Sequence, residues 1–171
     1  MNEKAITIRI ADAGDARQIA LMSRDLVETG LGWKYDPARI LRALRSRDTL
    51  TVAACERGGI VGFAIMEFGD ERAHLVLLAV RPLHRRLGIG RRMLEWLVES
   101  ALTAGIASIH LELRAGNEAA RGFYRAMGFS ETMLVPGYYQ GRESALRMLR
   151  VLRATGEPAY TWRPPRTGER T

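Results

Sequence analysis

The period of the apolar positions changes several times along the chain, and each change predicts an element. From His74 to Val80 the chain is almost continuously apolar, which predicts a central strand covered on both faces. From Ile89 onward Ile89, Met93, Leu94, Leu97, Val98, Ala101 and Leu102 recur at helical spacing, while Arg91, Arg92, Glu95 and Glu99 take the other face. Upstream, Thr7 to Ile10 predicts a short strand. Asp12 to Glu28 predicts a helix with Ala16, Ile19, Ala20, Ser23, Leu26 and Val27 inward, stopped by Gly30. Asp36-Pro37 supplies an N-cap and a first-turn proline for a second helix reaching Arg47. Leu50 to Cys55 and Ile60 to Phe68 are strands of a hairpin that turns at Arg57-Gly58-Gly59.

Downstream, Ala107 to Arg114 alternates: Ile109, Leu111 and Leu113 point one way, so His110, Glu112 and Arg114 point the other. Asn117 is placed to cap a helix through Met127 with Ala120, Phe123, Tyr124 and Met127 inward and Gly128 at its end. Phe129 to Val135 reads as a strand, Pro136 to Tyr139 as a loop and Ser144 to Leu152 as the last strand. The order predicts one α/β domain over residues 1–152, built on a mixed sheet that is antiparallel early and parallel where a helix links two strands. Residues 153–171 form a basic tail with three of the six prolines, expected to be loosely ordered and tacked down by Trp162 if by anything.

Composition narrows the function classes. Hydrophobic residues at 47% and charged ones at 26% are those of a globular domain. No apolar run approaches the roughly 20 residues that span a bilayer, and the stretch MNEKAITIRIADAGD has no signal-peptide core, so the expectation is a cytoplasmic protein with no membrane partner. The single cysteine, Cys55, sits in an apolar stretch and reads as a small buried residue. Lys+Arg 26 against Asp+Glu 19 gives +7, a balance that favours anionic ligands. The arginines are scattered, apart from Arg81 to Arg92 and the tail, with no aromatic-interleaved basic face, so no nucleic-acid partner is expected. His74, His84 and His110 lie far apart in sequence with no partner at metal-ligand spacing, so no metal is expected either.

The chemistry concentrates at the turn between the central strand and its helix. Glycines at Gly88 and Gly90 let backbone approach a ligand, and the free N–H groups of a helix start make an anion site. The turn lacks both the GxxxxGK[ST] string and the third glycine of the dinucleotide fingerprint. Arg85-Arg86-Leu87-Gly88-Ile89-Gly90 resembles the R/Q-x-x-G-x-G/A signature of the GCN5-related N-acetyltransferases (GNAT). The segment LELRAGNEAARGFYRAMGF, Leu111 to Phe129, resembles that family's L-E-x-R-x-x-N-x-x-A-x-x-x-Y-x-x-x-G-F region, and Gly141 to Met148 is similar to the ending of the branch that acetylates the amino-terminal alanine of a ribosomal protein.

The resemblance implies a single-domain GNAT-like fold with a mixed, mostly antiparallel sheet of about seven strands flanked by about four helices. It implies acetyl-CoA as co-substrate and transfer of its acetyl group to a primary amine by direct attack. Cofactor contacts are then expected from Leu78, Ala79 and Val80 at the strand end, from Arg85, Arg86, Leu87, Gly88, Ile89, Gly90 and Arg91 at the turn, and from Asn117 and Tyr124. Such a transfer needs a base for the amine and an acid for the leaving thiolate. Glu112 stands at the family's base position, and partial burial is expected to raise its pKa; the alternative is a structural glutamate paired with Arg114 or another arginine. Tyr124 stands at the acid position, the alternative being a core tyrosine beside Phe123. His110 shares a face with Glu112 and is placed either to tune it or to pack toward solvent.

The acceptor side is less determined. Trp33 and Tyr35 in the GLGWKY loop either wall a substrate pocket or plug the gap between two helices, and Tyr138 and Tyr139 match a tyrosine pair near the acceptor end of the peptide-acetylating branch. A peptide amino terminus and a small-molecule amine both remain open as acceptors, and a homodimer is common in the superfamily. Two other readings stand beside the enzyme: a non-catalytic acyl-CoA-binding regulatory domain, and a nucleic-acid binder using the +7 charge.

Overall fold

In the computed structural model, which describes residues 5–153, the chain forms seven strands and four α-helices. The strands are β1 (Thr7–Ile10), β2 (Thr49–Glu56), β3 (Gly59–Phe68), β4 (Arg72–Val80), β5 (Ser108–Arg114), β6 (Ser130–Tyr139) and β7 (Glu143–Val151). The helices are α1 (Ala16–Leu26), α2 (Pro37–Arg45), α3 (Ile89–Thr103) and α4 (Glu118–Ala126). One sheet runs β1-β2-β3-β4-β5-β7-β6, antiparallel everywhere except where β4 meets β5. The α/β class, the mixed and mostly antiparallel sheet and the central place of β4 are as the sequence predicts.

The sheet has a packed cluster on each face. On one side α3 and α4 bury Met93, Leu94, Leu97, Tyr124 and Met127 against Leu75, Ile109, Leu111 and Met148. On the other, α1 and α2 bury Ile19, Ala20 and Ile40 against Ala53, Phe63, Ile65, Leu77 and Ala79. β4 serves both clusters because it carries a bulge. Ile65 pairs with Leu77 but Met66 with Leu75, so Val76 is an extra residue and the inward parity reverses across it. This reversal is why β4 reads as an unbroken apolar run. Locally its burial alternates, with Ala73, Leu75, Leu77 and Ala79 buried and His74, Val76, Leu78 and Val80 half-buried.

Several boundaries differ from the expected ones, each for a local reason. The first helix does not start at Asp12: that residue caps a separate 3-10 turn, Ala13–Asp15, accepting from the Gly14 N–H at 2.8 Å while the Asp15 carboxylate accepts from the Asp12 N–H at 2.9 Å. Arg9 then clamps Asp15 with two bonds of 2.7 and 2.9 Å. The Asp36 cap is as expected, accepting from the Arg39 N–H at 2.8 Å. Leu102 is 51% exposed rather than inward, the apolar face of α3 having rotated away by its last turn. Pro136 to Tyr139 is the end of β6 and not a loop. As the outermost strand β6 tolerates a proline, and its pairing with β7 is irregular between Val135 and Tyr139. Arg153 bonds the Gly105 carbonyl at 2.9 Å through Nε; the rest of the expected tail, with Trp162, lies outside the described residues.

Candidate active site

β4 and β5 pair in register only at Arg72 with Ser108, Ala73 with Ile109 and His74 with His110. Beyond that point the strands part, leaving a gap between the end of β4 and the second half of β5. Leu78, Ala79 and Val80 therefore border an opening in the middle of the sheet, next to the start of α3. Two residues of the turn there take left-handed backbone: Arg86 at φ 66 and Gly88, the N-cap of α3, at φ 75. The first N–H that α3 satisfies in this region is that of Arg92, which bonds the Gly88 carbonyl at 3.0 Å, so the preceding amides face outward. Arg85 folds back to the Val80 carbonyl at 3.1 Å, whereas Leu87 stands 61% exposed and Ile89 is buried. Arg91 pairs loosely with Glu95 at 3.8 Å. A Cβ at Gly90 would lie 3.4 Å from the Phe123 ring, so this glycine sets how closely α3 and α4 approach.

Across the gap, Asn117 caps α4 by accepting from the Ala120 N–H at 3.1 Å. Tyr124 is buried on the α3–α4 side between Phe123 and Phe129, with ring centroids 5.1 and 5.7 Å away in edge-on geometry. Burial pushes its hydroxyl pKa well above the ordinary phenol value. Glu112 projects to the opposite side of the sheet, its side chain 9% exposed. His74 Nε2 lies 2.7 Å from one carboxylate oxygen and Arg147 Nε donates to the other at 3.0 Å.

The expected rise of the Glu112 pKa is overturned. The hydrogen bond from His74 outweighs desolvation, and with the Arg147 contact it holds the carboxyl below its usual range. The alternative, a glutamate paired with Arg114 or another arginine, is met through Arg147; Arg114 itself pairs with Glu143 at 3.6 Å and bonds the Thr29 carbonyl. The histidines are not all apart, as their sequence spacing suggests. His74 and His110 are stacked with centroids 4.4 Å apart and planes 3° from parallel, and their ring nitrogens and the Glu112 carboxylate lie within 4.8 Å of one another. Burial first, then His74, lowers the His110 pKa. His84 is elsewhere, 3.2 Å from Glu56.

Of the four aromatics expected on the acceptor side, Tyr138 and Tyr139 are close enough to feel the Glu112 charge. Tyr138 and Tyr139 meet edge to face at 4.9 Å; Tyr138 is 44% exposed, and the Tyr139 hydroxyl is pushed up to about 12 by burial, with Tyr138 and Glu112 adding to the effect. Tyr35 is half-buried with Arg39 over its ring at 4.5 Å, and Trp33 is tied to α1 by an Nε1 bond of 3.2 Å to the Ala20 carbonyl. The loop that carries them is pinned by Glu28, only 6% exposed, which accepts from the Lys34 N–H at 2.7 Å, the Tyr35 N–H at 3.3 Å and the Ser23 hydroxyl at 3.0 Å.

Three contributors escaped sequence reasoning: Glu28, His74 and Arg147. The signal for the last two was parity: Arg147 alternates with the buried Leu146 and Met148, and His74 with the buried Ala73 and Leu75, so both share the face of Glu112. For Glu28 there was no signal, because a glutamate ending a helix is ordinarily a solvated one.

The model of the Acetyltransferase (GNAT) family matches residues 20–129. The chain belongs to this family. Among GNAT relatives, it is 38% identical over 96 residues to the [Ribosomal protein bS18]-alanine N-acetyltransferase of Escherichia coli, a match spanning 54% of this chain and 65% of that protein. The chain thus aligns with just under two thirds of that relative's length. It is 31% identical over 164 residues to the N-alpha-acetyltransferase RimI of Mycobacterium tuberculosis, covering 92% of this chain and 91% of the other. The crystal structure of the Escherichia coli ribosomal-protein-alanine N-acetyltransferase superposes with a TM-score of 0.78 at 27% identity, covering 92% of this chain and all of that one. Ard1 of Thermoplasma volcanium gives 0.76 at 27% identity, over 88% and 99% of the two chains.

Proposed function

We propose that this GNAT chain transfers an acetyl group from acetyl-CoA to a primary amine, with a peptide or protein amino terminus as the acceptor. One observation carries the reading: the parting of β4 and β5 opens the sheet between a buried phenol, Tyr124, on the α3–α4 side and a carboxylate, Glu112, on the α1–α2 side. A donor seated against α3 and an acceptor arriving past Tyr138 and Tyr35 meet in that gap from opposite faces. The choice of an amino terminus is supported by the relatives, a ribosomal-protein-alanine N-acetyltransferase and an N-alpha-acetyltransferase.

The donor site fits a phosphate-bearing coenzyme. Left-handed backbone at Arg86 and Gly88 and the open first turn of α3 present N–H groups to an anion, with Arg85, Arg86 and Arg91 adding charge. Gly90 leaves room beside Phe123, and Leu78, Ala79, Val80, Leu87, Ile89 and Asn117 border the same path. Acetyl-CoA supplies an activated thioester there. Glu112, ionised at neutral pH, attracts the acceptor ammonium and takes one of its protons, directly or through water and with His74 at 2.7 Å to share it, so that the neutral amine attacks; the second proton leaves the nitrogen once the C–N bond has formed and passes through water to replace the one that Tyr124 gives up. Tyr124 stays protonated because burial disfavours its phenolate, and it donates to the sulfur as the C–S bond breaks. Trp33, Tyr35, Tyr138 and Tyr139 form the acceptor wall.

The test is thermal unfolding of the native chain and of Gly88→Asp with and without acetyl-CoA, followed by thiol release with amino-terminal peptides. A ligand at a hundred times its Kd, binding only the folded state, adds about 2.7 kcal/mol. The expected result is a shift in the native chain that Gly88→Asp abolishes, because a carboxylate then stands in the anion site. No shift in the native chain overturns the reading. A shift without turnover of any amine favours the regulatory domain instead.

A further inference from the structure

The turn that offers its N–H groups to the coenzyme gains little from apolar packing, since Leu83 is 94% exposed and Leu87 61%. Polar ties to the β2–β3 hairpin fix it instead. That hairpin is itself closed by a two-residue turn, with Arg57 at φ 51 and Gly58 at φ 80. The Arg81 N–H donates to the Val61 carbonyl at 2.8 Å, and Arg81 Nε to the Ile60 carbonyl at 2.9 Å. His84 makes a third tie, nearer in sequence than the others to the left-handed residues Arg86 and Gly88. Its Nε2 lies 3.2 Å from a carboxylate oxygen of Glu56, the last residue of β2.

Both side chains of this tie are largely withdrawn from solvent, His84 at 20% exposed and Glu56 at 17%. A carboxylate only accepts, so Nε2 is the donor. The other ring nitrogen, Nδ1, is buried and has no hydrogen-bond partner among the described residues. The bond to Glu56 therefore sets the orientation of the ring. With Nε2 engaged and Nδ1 closed off from the surface, neither nitrogen is open to a ligand. His84 acts on the turn and not on what binds there.

We infer that His84 and Glu56 form a latch on the donor site: they are positioning residues that hold the turn in the shape that aims its amides at the coenzyme, and they touch neither coenzyme nor acceptor. The inference rests on the donor-site reading and adds two residues to it. A turn without the latch has to be ordered by the coenzyme, and apparent affinity then falls in proportion to the fraction of chains whose turn is already in place. Loss of a part-buried hydrogen bond to a carboxylate is enough to change that fraction about tenfold.

Calorimetry of acetyl-CoA on the native chain and its variants tests the latch, with thermal unfolding of each without coenzyme to show that it folds. His84→Ala and Glu56→Ala should each raise Kd about tenfold, equivalent to about 1.4 kcal/mol. The double variant should bind no more weakly than either single one, because all three lack the same bond. His84→Gln brings an amide N–H within reach of Glu56 and should return Kd to within about threefold of native. A ring that served only as filling would not be replaced by an amide. A Kd unchanged in either alanine variant, a glutamine variant as weak as the alanine one, or losses that add in the double variant would overturn the latch. Should an alanine variant not fold, Glu56→Gln decides, since it keeps an accepting oxygen but loses the charge: a Kd raised at least about threefold upholds the latch and an unchanged one overturns it. No binding by the native chain sinks the donor site and the latch together, whereas native binding that survives His84→Ala sinks the latch alone.

Discussion

Glu112 is the residue on which chemistry and stability meet. Its carboxyl titrates below the ordinary value of 4.5, because His74 and Arg147 stabilise the charged form more than burial penalises it. A depressed folded-state value means that the group adds stability above its unfolded pKa, and that this stability is lost as pH falls through the folded value. In the native chain the resulting loss is confined to pH below about 4.5. Acid unfolding followed by circular dichroism should therefore move to a different midpoint in Glu112→Gln, which removes the titration. The same variant keeps the shape but not the proton acceptor, so kcat should fall by about 10² to 10⁴ with the KM for acetyl-CoA little changed. A kcat within twofold of native would assign Glu112 a purely structural role.

At the scale of elements, the loop between α1 and α2 shows how a small number of bonds fixes a wall. It has no regular hydrogen bonding of its own, and Glu28 substitutes for it by accepting from two backbone N–H groups and one hydroxyl. Glu28→Gln turns one accepting oxygen into a donor facing donors, at a cost of about 1–3 kcal/mol for each bond left unmade. The expected outcome is a raised KM for the acceptor and an unaltered KM for acetyl-CoA, measured by initial rates. Equal effects on both would mean that the whole fold has loosened. What the sequence made legible also divides by element. Caps and turns were readable because their chemistry is local: Asp36, Asn117 and Gly88 act on atoms within three or four residues. The faces of β5 were readable from alternation. The bulge at Val76 was not, since apolar residues surround it on both sides and parity can reverse without a trace in the sequence. The ring of donors on Glu112 was half legible: parity gives His74 and Arg147 the right face, but they lie 38 and 35 positions away and their meeting with Glu112 is set by strand register.

For the whole molecule, the order of strands places the function. β5 lies between β4, its parallel neighbour, and β7, its antiparallel one; it pairs with β7 along its full length but with β4 over only three residues. The sheet is thus firmly joined in two halves and weakly joined at its middle. The amides bordering that seam, on β4 beyond His74 and on β5 beyond His110, have no strand partner across it. In deuterated water they should exchange much faster than the amides shared by β5 and β7, and saturation with acetyl-CoA should slow them selectively. Uniform exchange across the sheet would contradict the parted geometry. A linear molecule carrying its own amide groups can lie along the two bare edges and take the place of a missing strand. On that reading the coenzyme is a removable part of the architecture, filling the seam while it is bound and leaving two bare edges when it departs.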